Sequence, residues 1–113
     1  MTREEIAAMV ESIGLPCAYY EFNDNTPQEP PFVCWFFSSD NDFKADNQNY
    51  SHIEILNIEL YTRYKDFETD DTIESILTAN GLTWAKETSF IENEKMYQTS
   101  YESEVLINGE QQS

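Results

Sequence analysis

The spacing of hydrophobic and polar residues predicts two helices. Thr2 and Glu5 form a capping-box pair, and apolar residues then recur at helical spacing up to Gly14, which predicts an amphipathic helix of about three turns. A second helix is predicted from about Phe67 to Ala79, because acids fill its opening turns and Asn80-Gly81 follows its end. We expect each helix to place one apolar face on a sheet.

Five further segments have the alternation or continuous apolar character of strands. They span residues 17–22, 32–37, 52–62, 82–90 and 96–107. The segment 32–37 is apolar on both faces, which favours a central strand. Pro27, Pro30 and Pro31 precede it and predict a loop, because proline cannot join a central ladder. The polar stretch 38–49 predicts a long, mobile hairpin tip, and residues 108–113 are expected to fray.

The order of these elements predicts one α+β domain over residues 1–113. We expect a mostly antiparallel sheet of about five strands with two helices packed on it, in the order α-β-β-β-α-β-β. Two helices are too few to cover both faces of such a sheet, so a neighbouring subunit is expected to close the second face. The residues predicted for this possible subunit interface are Trp84, Tyr97, Tyr101 and Val105.

The charge balance narrows the possible functions. The chain has 22 Asp plus Glu against 6 Lys plus Arg, a formal net charge of −16. This excludes the usual nucleic-acid binder, which needs a cationic face to displace counterions from phosphates. A strong net negative charge suits a pore that passes DNA without binding it, a surface that imitates DNA, or solubility alone. A 40% hydrophobic and 14% aromatic composition argues against disorder.

No segment indicates a membrane or an oxidising compartment. No window approaches the ~18 apolar residues of a membrane span, and the first residues lack the basic-then-apolar pattern of a signal sequence. We therefore expect a protein made and kept in a cytoplasm, without membrane association. Cys17 and Cys34 lie in apolar surroundings and are interpreted as small buried hydrophobes rather than as a disulfide.

The pattern of polar residues predicts no catalytic, cofactor-binding or metal site. His52 is the single histidine and has no nucleophile motif around it, and one histidine with two isolated cysteines has no zinc-site spacing. The three glycines form no phosphate cradle. The acidic run Asp66, Glu68, Asp70 and Asp71 lacks the glycine and final glutamate of an EF-hand and fits a helix N-terminus. An enzyme is not expected.

Short motifs occur in a distinctive order over most of the chain. They are Pro30-Pro31-Phe32, Phe43-Lys44-Ala45-Asp46-Asn47 with Tyr50, Glu59-Leu60-Tyr61-Thr62 followed by Lys65-Asp66, Ile73-Glu74, and Glu94-Lys95-Met96-Tyr97-Gln98 with Tyr101-Glu102. In this order and spacing they resemble the tail-terminator or tail-completion proteins of long-tailed phages and prophages of Gram-positive bacteria. Those proteins are also called minor capsid or head-tail joining proteins.

The resemblance implies an α+β protein that forms a ring, typically a hexamer, at the head-proximal end of the tail tube. Such a ring stops tube polymerisation and provides the surface on which the head docks, without enzymatic turnover. The implied partners are further copies of the chain, the major tail tube protein and a head-completion or connector protein. DNA would pass through the lumen without specific binding. The implied location is the virion, after assembly in the host cytoplasm.

The resemblance also points to contact residues at the hairpin tip. They are Phe43, Lys44, Ala45, Asp46, Asn47 and Tyr50, with the two aromatic residues as anchors against a neighbouring subunit or the tube. A solvated loop is the alternative interpretation of this segment. For the whole chain, an acidic DNA mimic that inhibits a nucleic-acid enzyme is the alternative function. A fragment of an ordinary cytoplasmic enzyme is disfavoured because no site supports it.

Overall fold

The computed structural model describes residues 1–22, 28–38 and 52–107 of the chain. Within them the elements are α1 (Arg3–Glu11), β1 (Cys17–Tyr19), β2 (Phe32–Ser38), β3 (His52–Thr62), α2 (Phe67–Ala79), β4 (Ala85–Ile91) and β5 (Met96–Ile107). The element order is the predicted one, and the predicted bounds of β3, α2 and β5 are confirmed. The predicted hairpin tip and the last six residues lie outside the described residues.

Local side-chain hydrogen bonds set the start of both helices. The Thr2 hydroxyl accepts a hydrogen bond from the Glu5 amide at 3.1 Å, and the Glu5 carboxylate accepts one from the Thr2 amide at 3.0 Å, which confirms the capping box. At α2 the Asp66 carboxylate accepts a bond from the Thr69 amide at 3.1 Å. Gly81 follows α2 with a φ of +77°, a left-handed conformation that glycine adopts without steric cost.

The five strands form one mixed sheet in the order β1-β2-β3-β5-β4. The α+β class is confirmed, but the expectation of a mostly antiparallel sheet is corrected, because β1 and β2 pair in parallel while the other three pairings are antiparallel. About a dozen residues separate β1 from β2, which suffices for a crossover instead of a hairpin. The middle strand is β3, whereas the segment predicted as central, β2, lies one place nearer the edge.

Strand β1 is shorter than predicted because the backbone turns at Tyr20. This residue has a φ of +75°, and the amide of Glu21 donates to the carbonyl of Tyr19 at 2.9 Å. A hydrogen bond across one residue with a positive φ at its centre is a strained γ-turn. The turn ends the strand at Tyr19, although the apolar pattern continues to Phe22.

The hydrophobic core lies on one face of the sheet, under both helices. The helices contribute Ile6, Met9, Val10, Ile73 and Leu77, and the strands contribute Val33, Leu56, Ile58, Leu60, Tyr101, Val105 and Ile107. The pairing register places all these strand residues on the same face, since Leu60 lies opposite Val33 and Ile58 lies opposite Tyr101. Both helices therefore pack on this face. The opposite side is called the open sheet face below.

Candidate interaction surface

The open sheet face is formed by strand side chains that alternate with the core positions. Its aromatic half comprises Phe32, Phe36 and Tyr61, together with Tyr20 and Phe22, which follow β1. Its acidic half comprises Glu87 on β4 and Glu102 and Glu104 on β5. Glu59 lies between the two halves on β3. In an antiparallel sheet one face can remain against solvent, but a face half covered with aromatic rings is typical of an interaction surface.

The rings of the aromatic half pack on one another. Phe32 and Tyr61 stack with ring centroids 4.8 Å apart, and Phe22 meets Phe32 edge-on at 5.4 Å. Tyr20 stacks on Phe36 at 5.1 Å with an interplanar angle of 14°, and 63% of its surface remains exposed. The strained γ-turn thus holds a large aromatic side chain flat on the open sheet face. Strain of this kind persists where the surrounding contacts fix it, and it is concentrated at functional positions.

A hydrogen-bond chain crosses the sheet between the two halves. The Gln98 side-chain amide donates to the Tyr61 hydroxyl at 2.8 Å, and that hydroxyl donates to the Glu59 carboxylate at 2.8 Å. Burial, and next the hydrogen bond to Glu59, raise the pKa of Tyr61 well above its usual range. The phenol therefore stays protonated and keeps its role as a donor. The three side chains connect β3 to β5 at this point.

The carboxylates of the acidic half lack cation partners among the described residues. Glu87, Glu102 and Glu104 are exposed and form no ion pair with any residue in the described part of the chain. The basic side chains that do form ion pairs use carboxylates elsewhere. These pairs are Arg3 with Glu54, Arg63 with Glu29, Lys65 with Asp70, and Lys86 with Asp70 and Glu74. The cations of the described residues therefore neutralise carboxylates outside the acidic half, and none of them neutralises Glu87, Glu102 or Glu104.

A buried ion network lies on the helix side of the sheet. Asp70 is 1% exposed, and its Oδ2 lies 2.5 Å from Lys65 Nζ and 3.3 Å from Lys86 Nζ. Lys86 Nζ is also 2.7 Å from Glu74 Oε2, which accepts a hydrogen bond from the Tyr101 hydroxyl at 2.9 Å. The hydrogen bond from Lys86 lowers the pKa of Glu74, and burial together with Glu74 raises that of Tyr101. The network joins α2 to β4 and β5.

The sequence pattern assigned Asp70 only to the acidic first turns of α2. The sequence does not show its pairing with Lys65 and Lys86, because a helical pattern shows which residues share a helix face but not which distant strand supplies a cation. No local signal marks Lys86, which lies on a strand whose first six residues are all exposed. The spacing of Glu102 and Glu104 in the sequence indicates that they share one face of a strand. The structure places that face of β5 away from the helices.

The residues predicted for a subunit interface divide into two groups. Tyr101 and Val105 are 1% and 2% exposed and belong to the core of this chain, so their predicted place on the uncovered face is corrected. Trp84 is half-buried with its ring 6.5 Å from that of Tyr101, and Tyr97 is half-buried with its ring 5.0 Å from that of Phe90. A strand pattern shows that residues share a face, but it does not show which face the helices cover.

The other predicted contact site, at the hairpin tip, falls outside the described residues. It comprises Phe43, Lys44, Ala45, Asp46, Asn47 and Tyr50. These residues stay a prediction from the resemblance.

The two cysteines are free and lie on opposite faces of the sheet. Cys17 pairs with Val33 on the helix side, and Cys34 pairs with Glu59 on the open side. Burial, with a smaller effect of nearby carboxylates, raises the pKa of Cys34 to about 11. Burial also raises the pKa of Cys17. Thiols with raised pKa values are poor nucleophiles near neutral pH. In the described ranges, no three His, Cys, Asp or Glu side chains are grouped so that they could hold a metal ion.

None of the described helices is long and apolar enough to span a membrane.

Neither a scan against protein-family models nor a search of curated proteins found a match to this chain. The function is therefore inferred from the resemblance of its sequence motifs and from the surfaces described above.

Proposed function

We propose that this chain is a tail-terminator protein of a long-tailed phage or prophage. It would form a ring at the head-proximal end of the tail tube, stop tube polymerisation and provide the head-docking surface around the DNA channel, without catalysis. The observation that carries the proposal is the open sheet face, which is partly aromatic and partly acidic and is left uncovered by both helices. A ring subunit needs a surface for its neighbours and a lining compatible with DNA.

The aromatic half suits a contact with a neighbouring subunit. Tyr and Phe are enriched in protein interfaces, where they bury large apolar area at a small cost in conformational entropy. Tyr20 is 63% exposed and is held by its turn and by the stack on Phe36. A ring requires a heterologous contact, in which one surface of a subunit meets a different surface of the next. The aromatic half lies towards the β1 edge of the sheet, and β4 forms the other edge.

The acidic half suits a DNA channel. Exposed carboxylates without cation partners repel phosphates, so DNA can move past Glu87, Glu102 and Glu104 without being held. The chain has few cations that could weaken this repulsion, because it contains 6 Lys plus Arg in total. In a ring the same carboxylates would be repeated in every subunit.

The experiment that tests the proposal is a stop codon in the gene of the parent phage or inducible prophage, followed by electron microscopy of the lysate. We expect overlong or irregular tails separated from DNA-filled heads. A plasmid copy of the intact gene should restore normal virions, and a plasmid copy with the same stop codon is the control. Normal virions in the uncomplemented mutant would refute the proposal.

A charge-reversal experiment tests the role of the acidic half. The double variant Glu102→Lys and Glu104→Lys should assemble virions that eject DNA more slowly, because the added cations bind phosphates. The matched control is Glu11→Lys with Glu68→Lys, which makes the same change in net charge at exposed helix positions on the other side of the sheet. Equal ejection kinetics for the two double variants would show that the acidic half does not line the channel.

The second candidate function is an acidic DNA mimic that inhibits a nucleic-acid enzyme. The observation that favours it is the same unpaired set of carboxylates, which could take the place of DNA phosphates on a basic enzyme. It predicts a monomer or dimer and binding that weakens strongly with salt, whereas a terminator predicts a ring in the presence of the tail tube protein. Native mass spectrometry of this chain mixed with the tail tube protein distinguishes the two functions, because a ring and a monomer or dimer differ in mass.

A further inference from the structure

The sheet has a step at its outer edge. Strand β4 begins at Ala85, opposite Glu102, while β5 continues to Ile107. Beyond Glu102, β5 is paired with β3 on one side and with no described strand on the other. At this step lies a pocket of about 260 Å³, here called the edge notch. Its lining residues are Ile55, Thr83, Trp84, Ala85, Glu102, Ser103 and Glu104.

Backbone groups of β5 point into the edge notch. The amino nitrogen of Met1 donates to the carbonyl oxygen of Leu106 at 2.8 Å, so this carbonyl is directed away from β3. Backbone groups of alternate residues in a strand point to the same side. The amide and carbonyl of Glu104 are therefore also directed to the free side of β5. The free part of the edge is short, because Glu102 pairs with Ala85 and the Leu106 carbonyl is taken by Met1. The backbone groups of Glu104 between them can accept an extended segment as an additional strand.

The side chains of the edge notch need a cation and a hydrogen-bond partner. Glu102 and Glu104 are exposed and have no ion pair within the described residues. Ser103 is 4% exposed, and its hydroxyl has no hydrogen-bond partner in the described part of the chain. A buried hydroxyl without a partner is uncommon. Trp84 lines the helix side of the notch, where its ring lies 6.5 Å from that of Tyr101.

The charge of the chain indicates where such a cation comes from. Four of its basic side chains, those of Arg3, Arg63, Lys65 and Lys86, already pair with other carboxylates. A second copy offers few cations for Glu102 and Glu104, because each chain has 6 Lys plus Arg against 22 Asp plus Glu. DNA would be repelled by the same carboxylates. The complementary occupant is a segment of a different protein that carries Lys or Arg.

We propose that the edge notch is a docking site for an extended segment of a partner protein, which adds to the free edge of β5 and places a Lys or Arg side chain against Glu102 and Glu104. The pocket is smaller than the roughly 300–1,000 Å³ of small-molecule sites, so it accepts one side chain rather than a cofactor. Main-chain bonds to Glu104 supply affinity, and the cation supplies specificity. The site does not depend on the terminator function. Glu102 and Glu104 cannot repel DNA and bind the partner's cation at the same time, so the ejection experiment and the peptide experiment test two separate roles of these carboxylates.

The probe is a capped pentapeptide with arginine at its centre and threonine and valine around it, compared with the same peptide carrying glutamate instead. In an NMR titration of the unmodified chain, the arginine peptide should shift the backbone amide signals of residues 102–106, and the shifts should saturate as the peptide concentration rises. In the variant Trp35→Phe, Trp84 is the remaining tryptophan, and its emission should change at the same peptide concentration. The glutamate peptide should produce neither effect.

A pair of double variants tests the carboxylates. Glu102→Gln with Glu104→Gln should weaken binding of the arginine peptide about tenfold, since both charges that face the cation are lost. Glu92→Gln with Glu94→Gln, in the turn between β4 and β5, changes the net charge equally and should leave affinity within about twofold. Circular dichroism establishes that both variants fold.

Four results would each overturn the proposal. The first is the absence of saturable binding by the arginine peptide. The second is equal binding of the glutamate peptide, which would show that the cation is not recognised. The third is equal weakening in both double variants, which would show attraction to net charge alone. If the signals of residues 102–106 instead change with protein concentration and the mass doubles, the occupant is a second copy and the proposal is also overturned. A failure of this kind leaves the virion phenotype of the stop-codon mutant unaffected.

Discussion

Replacing Asp70 with Asn tests whether the buried ion network stabilises the packing of α2 on the sheet. The substitution keeps the shape of the side chain and removes its charge. Asp70 is 1% exposed, and its Oδ2 lies 2.5 Å from Lys65 Nζ and 3.3 Å from Lys86 Nζ. Its other carboxylate oxygen, Oδ1, is buried and has no hydrogen-bond partner within the described residues.

The expected loss follows from these contacts. A hydrogen bond to a charged group contributes about 1.5–3 kcal/mol, and two lysines contact the same oxygen of Asp70. Part of this loss is offset, because Asn need not bring a full charge into the interior. The side chains of Lys65 and Lys86 are 26% and 35% exposed, so water can solvate them when the carboxylate is absent. We expect the free energy of unfolding to fall by about 2 kcal/mol, or the melting temperature by about 10 °C.

The matched control is Asp71→Asn, the same chemical change one residue further along α2. Asp71 is exposed, so this variant should lose only about 0.5 kcal/mol from the helix N-terminus. Urea unfolding followed by circular dichroism measures both, with an unchanged m value. Equal stability of the two variants would refute the reasoning. A difference that disappears in about 0.5 M salt, where the Debye length is only a few Å, would show that the Asp70 contacts are solvent-screened surface pairs.

Three further predictions follow from single contacts. The Lys86 hydrogen bond lowers the folded-state pKa of Glu74. The ionised Glu74 therefore stabilises the fold above its unfolded pKa, and this stabilisation is lost as the pH falls through the lower folded pKa. In urea titrations, the free energy of unfolding should fall less between neutral pH and below about pH 5 for Glu74→Gln than for the unsubstituted chain. Thr2→Ala should remove about 1 kcal/mol of unfolding free energy, because the capping box with Glu5 is lost, and Thr2→Ser, which retains the hydroxyl, should restore most of it. Cys34 should react with a thiol reagent at pH 8 about 100-fold more slowly than in urea, because its pKa of about 11 leaves little thiolate; equal rates would contradict its burial.

The sequence alone was sufficient for most of the secondary structure. β3, α2 and β5 have the predicted bounds because their patterns are long, and because Asp66 and Gly81 supply local start and stop signals. β1 ends early at Tyr19, since a single residue in a γ-turn is invisible to a hydrophobic pattern. β4 starts three residues later than predicted, at Ala85, and this late start creates the step beside β5.

The arrangement of these elements depended on contacts between residues far apart in the chain. Hydrophobic periodicity has a range of a few residues, so it could not show that β1 pairs with β2 in parallel, or that the helices cover the face containing Tyr101 and Val105. The Asp70 network and the edge notch have the same origin. An ion pair with Lys86 and a strand edge left free beyond Glu102 arise only when separate segments pack together, because distance in space, rather than spacing in sequence, determines electrostatic and hydrogen-bond partners.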